Sequence, residues 1–102
     1  MTPSRARIAV PRDQIADFCR RHHIRRLALF GSVLRDDFTA ESDVDVLVEF
    51  EPGKTPGFAI VTMQDELTEM LGRRVDLRTP NELSKYFQDE VLAEAEDIHV
   101  AA

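Results

Sequence analysis

Residues 27–50 read LALFGSVLRDDFTAESDVDVLVEF, and this stretch decides the fold. A short apolar run stops at Gly31-Ser32. The polar segment VLRDDFTAES follows and reads as one helical turn and a loop. Asp43–Phe50 then alternates, with Asp43, Asp45, Leu47 and Glu49 on one face and Val44, Val46, Val48 and Phe50 on the other. That period of two predicts a strand.

Outward from this stretch, the chain alternates helix and strand patterns. Upstream, Arg26–Phe30 predicts a strand, and Pro11–His23 predicts a helix with Ile15, Phe18, Cys19 and His22 on one face. Downstream, EPGKTPG is a turn-rich loop. Phe58–Leu71 repeats Ile60, Met63, Leu67, Met70 and Leu71 near the helical period, and Gly72 suits its C′ position. RRVDLR (73–78) predicts a third strand, and Asn81–Gln88 a helix with Asn81 as its N-cap. The tail EDIHVAA fits either an edge strand or a helix. This order predicts an α/β (α+β) fold in which helices pack on a small mixed sheet. We expect a single domain over residues 1–102, with 1–10 as a flexible N-terminal arm.

Composition narrows the function classes. The chain has 102 residues, a net charge of −6 and one cysteine, Cys19. Backbone-type nucleic-acid binding is not expected at that charge, nor is a disulfide framework. No apolar run approaches the roughly 18 residues of a membrane span, so a cytoplasmic location is expected. The charge is unevenly spread. Residues 1–35 carry eight arginines against Asp13 and Asp17, whereas residues 36–102 carry five basic and seventeen acidic residues. A basic first third facing an acidic remainder suits a polyanion held beside a metal. His22 and His23 close the first helix without a metal-ligand spacing, and Cys19 reads as core filler.

Three features carry chemistry. Gly31-Ser32 lies between a strand and a helical turn, where a backbone free of side chains and exposed N–H groups favour an anion. Asp43 and Asp45 leave one face of a strand, where aspartate is a poor strand former. Asp76 interrupts the apolar triplet VDL of a later strand. If those strands are neighbours, the three carboxylates share a patch. Each pair at about 5 Å would repel by roughly 3 kcal/mol at an effective dielectric near 20. A divalent cation such as magnesium, its shell completed by phosphate oxygens, offsets that repulsion.

A Gly-Ser turn, a variable stretch, an Asp-x-Asp strand and a third aspartate on a later strand resemble the signature of the DNA polymerase β-like nucleotidyltransferase superfamily. The shortness of the chain and the block LGRRVDLRT (71–79) resemble its minimal nucleotidyltransferase (MNT) branch. The resemblance runs from Pro11 to about Ile98. One departure is visible, because Arg35 is followed by Asp36 where the family often has Arg-Gly.

The resemblance implies a nucleotidyltransferase fold and Mg2+-dependent transfer of AMP from ATP. It implies two magnesium ions held by Asp43 and Asp45, with Asp76 completing the ion that activates the acceptor hydroxyl. It places the triphosphate on Gly31 and Ser32, with Arg35 as a phosphate clamp. No acceptor domain is expected in this chain, so the family pattern implies a HEPN-type ribonuclease toxin, encoded nearby, as the partner. A tyrosine of that toxin would receive the AMP, with this chain as its antitoxin. Three alternatives stay open: a non-catalytic antitoxin acting by occlusion, a small-molecule nucleotidyltransferase whose pocket a homodimer completes, and a metal-stabilised structural domain, which leaves Gly31-Ser32 unexplained.

Overall fold

The computed structural model describes residues 8, 10–34, 38–39, 41–54, 57, 59–80, 83 and 85–100. Helix α1 (Arg12–Arg21) leads into strand β1 (Ile24–Phe30), and a 3-10 turn (Gly31–Leu34) ends that strand. Strand β2 (Val44–Phe50), helix α2 (Ala59–Leu71) and strand β3 (Val75–Arg78) follow. Helix α3 (Lys85–Glu94) and strand β4 (Glu96–Val100) complete the order. The strands form one mixed sheet in the order β3-β2-β1-β4. β1 is antiparallel to both β2 and β4, and β2 runs parallel to β3.

Register sorts the two faces of this sheet. Leu27 faces Val48, Leu29 faces Val46, Val44 faces Val75 and Val46 faces Leu77. All of these belong to one buried cluster with Ile15, Phe18 and Cys19 of α1 and Met63, Leu67 and Leu71 of α2. Both helices therefore cover the same face. The opposite face carries the alternate residues. Arg26 faces Glu49, Ala28 faces Leu47, Phe30 faces Asp45, and Asp45 faces Asp76. Ala28 and Leu47 are buried on that second face, apart from the main cluster.

The expected helices and strands are found, with shifts in their bounds. Pro11 is the N-cap of α1 rather than its first residue, and His22 is its C-cap. His23 then takes a left-handed φ of 56°, the conformation that closes many helices. The last expected helix lies further along the chain, at Lys85–Glu94 instead of 81–88. Its expected N-cap, Asn81, lies outside the described residues. The tail is a strand, because β1 offers it an open edge at Ala28 and Leu29. Residues 1–7 and 9 of the expected arm are also outside the described residues, whereas Ile8 and Val10 pack against the core. No helix among the described residues is long and apolar enough to cross a membrane.

Candidate active site

The second sheet face gathers most of the residues singled out by sequence. Asp45 of β2 and Asp76 of β3 are register partners across a parallel pair. Parallel neighbours sit about 4.8 Å apart, so two carboxylates leave the same face side by side. Asp43 precedes β2 by one residue and is half-exposed, with Arg74 Nε 4.0 Å from its Oδ1. Val44 N–H donates to the Arg74 carbonyl at 2.9 Å, which fixes the entry to β2 against the entry to β3.

The loop before Asp43 is fixed by its own small polar groups. Thr39 N–H donates to Ser42 Oγ at 3.0 Å, and Ser42 N–H donates to the Thr39 carbonyl at 3.1 Å. Arg73 reaches back to the same Thr39 carbonyl at 3.2 Å, and its guanidinium lies 5.0 Å from the centre of the Phe38 ring. A groove of about 580 Å³ runs past Asp43 between Glu41, Ser42, Gly72, Arg73 and Arg74. Sequence reading placed Arg73 and Arg74 inside the strand. They precede it, and they line this groove.

Gly31 stands directly against Asp45. Its φ of +76° is left-handed, and a Cβ there would overlap Asp45 Oδ2 and lie 3.3 Å from Asp45 Cγ. Only glycine lets β1 turn away at this point with the Asp45 carboxylate beside it. Ser32 follows in the 3-10 turn. Arg35, the expected phosphate clamp, lies outside the described residues.

Asp76 is held by a neighbour that sequence reading missed. Arg78 Nε donates to Asp76 Oδ1 and Arg78 Nη2 to Oδ2, each at 3.1 Å. A two-residue spacing on a strand puts both side chains on one face, and that spacing was visible in VDLR. Among the described residues, no three His, Cys, Asp or Glu side chains converge into a ready-made metal cage. The donor set still suits a hard divalent cation: all its atoms are carboxylate oxygens, two of them in adjacent register, and the backbone at Gly31 is bare of side chain.

Comparison with known proteins assigns the chain to a family. The Nucleotidyltransferase domain family matches residues 12–98, most of the chain. The chain belongs to that family. A Methanocaldococcus jannaschii protein assigned as a protein adenylyltransferase is 38% identical over 78 residues, covering 76% of this chain and 83% of its own. A solved structure assigned as a minimal nucleotidyltransferase superposes with a TM-score of 0.70 at 35% identity, covering 83% of this chain and 86% of its own. The fold also matches a chain of a tri-AMPylated Shewanella oneidensis HEPN toxin in complex with MNT antitoxin, with a TM-score of 0.58 at 18% identity. That match covers 88% of this chain and 70% of the other. The four-stranded mixed sheet with its helices is thus the nucleotidyltransferase architecture that the Gly-Ser and Asp-x-Asp pattern implied.

Proposed function

We propose that this chain transfers AMP from ATP to a tyrosine hydroxyl of a partner protein, a HEPN-type ribonuclease toxin, and acts as its antitoxin. The observation that carries the reading is the register pairing of Asp45 with Asp76 beside Gly31. Membership of the nucleotidyltransferase family supports it, as do a relative assigned as a protein adenylyltransferase and a fold shared with a chain from a complex of an AMPylated HEPN toxin with MNT antitoxin.

In this reading, Asp43, Asp45 and Asp76 would hold magnesium, which would supply charge stabilisation to the phosphoryl group during transfer. The residues of the chain do the rest. Gly31 and Ser32 present backbone N–H groups and the Ser32 hydroxyl to the β- and γ-phosphates. The tyrosine oxygen forms a bond to the α-phosphorus, the bond to the bridging oxygen breaks, and pyrophosphate departs. The tyrosine proton passes to the Asp76 carboxylate.

A second reading, neutralisation by occlusion, draws on the Arg78 pair, which occupies the third carboxylate. Labelled ATP separates adenylyl transfer from other phosphate chemistry. Label in the α-phosphate should appear on the partner, and label in the γ-phosphate should not. Transfer of γ-label, or of neither, would overturn the proposal.

A further inference from the structure

We infer that Arg78 is a resident counter-cation for Asp76, one that a divalent metal must displace, so that Arg78 sets the metal affinity of this site. The inference rests on the metal reading proposed above and deepens it. Arg78 and Asp76 leave one face of β3, and the guanidinium engages both carboxylate oxygens at 3.1 Å. Those two oxygens are the ones a metal ion would need. The register partner of Asp76 is Asp45, so without a positive group two carboxylates would face each other across β2 and β3. The planar fork of arginine fits a carboxylate in a way that an ammonium does not. Both side chains are roughly half-exposed, 46% and 38%. A pair of that exposure is worth a factor of about two to five in an equilibrium constant. Arg78 would therefore hold Asp76 in place on the sheet face yet give way to a dication.

Binding of Mn2+ without nucleotide, followed by the electron paramagnetic resonance of the free ion, tests this. Arg78→Gln should tighten Mn2+ binding about two- to five-fold. Arg78→Lys, which keeps the charge and loses the fork, should show most of that gain. Arg25→Gln removes an equal charge paired instead with Glu49, and should change affinity less. Unchanged or weaker binding in Arg78→Gln, or an Arg78→Lys variant that matches wild type, would overturn the inference. Asp45→Asn separates the two layers of the argument. Loss of Mn2+ binding in that variant, with Arg78→Gln unchanged, removes the role of Arg78 and leaves the metal site standing. Full Mn2+ binding by Asp45→Asn puts the ion elsewhere and ends both.

Discussion

Gly31 joins backbone geometry to the chemistry of the site. A left-handed φ and a Cβ position overlapping Asp45 Oδ2 are two separate penalties for any side chain there. Gly31→Ala should therefore cost about 2 kcal/mol, of which about 1 kcal/mol is the backbone term. In an Asp45→Ala background the overlap disappears, because the next contact is Asp45 Cβ at an ordinary 3.5 Å. The same substitution should then cost about 1 kcal/mol, a coupling that urea unfolding of the four proteins would reveal. Equal costs in both backgrounds would show that Gly31 serves the turn alone. The Gly31-Ser32 pair marks the position of this turn in the sequence. Its contact with Asp45 depends on where β2 returns, which no local pattern encodes. Cys19 is the converse case: its place on the buried face of α1 was legible from helical spacing. Burial pushes its thiol up to about 12, so it stays protonated at neutral pH. A thiol reagent at pH 8 should label it only at the rate of unfolding. Rapid labelling of the folded protein would contradict that burial.

At the scale of elements, α1 and α2 are joined over the core by Glu66. Arg21 Nη2 donates to Glu66 Oε2, and His22 Nε2 lies 3.3 Å from Glu66 Oε1. The Arg21 hydrogen bond is the largest influence on Glu66 and holds its carboxyl below the ordinary value of 4.5. A carboxyl depressed in the folded state contributes stability above its unfolded value. That contribution is lost as pH falls through the folded value. Glu66→Gln should lower the melting temperature by a few degrees at pH 7, and the gap to wild type should close below about pH 4. A gap that persists at pH 3 would mean that Glu66 acts through packing instead. The elements with strong periodicity, α1, α2 and β2, were legible from sequence because one buried face repeats along each. The tail was not. Glu96–Val100 is short and mixed in character, and its strand state comes from hydrogen bonds to β1, far away in the chain. The position of α3 escaped for a related reason, since KYFQDEVLAE has a weak apolar stripe and no strong start signal.

For the whole molecule, the sheet divides labour between its faces. One face buries the core under α1 and α2. The other sets Asp45, Asp76, Arg78 and Glu49 around buried Ala28 and Leu47. Of the three carboxylates legible in the sequence, Asp45 and Asp76 meet because β2 and β3 are parallel neighbours in register, whereas Asp43 stands one residue before β2. If the face binds a metal–nucleotide complex, magnesium should raise the melting temperature and magnesium with ATP should raise it further. Asp45→Asn should lose most of that rise, and an undiminished response would remove Asp45 from the site. The most direct measurement is the intact mass of the partner protein after incubation with this chain, ATP and magnesium. A gain equal to one or more AMP units on a tyrosine is expected, abolished by Asp43→Asn/Asp45→Asn although the two proteins still associate. A partner of unchanged mass that is nonetheless silenced, by wild type and by the double variant alike, would contradict that expectation.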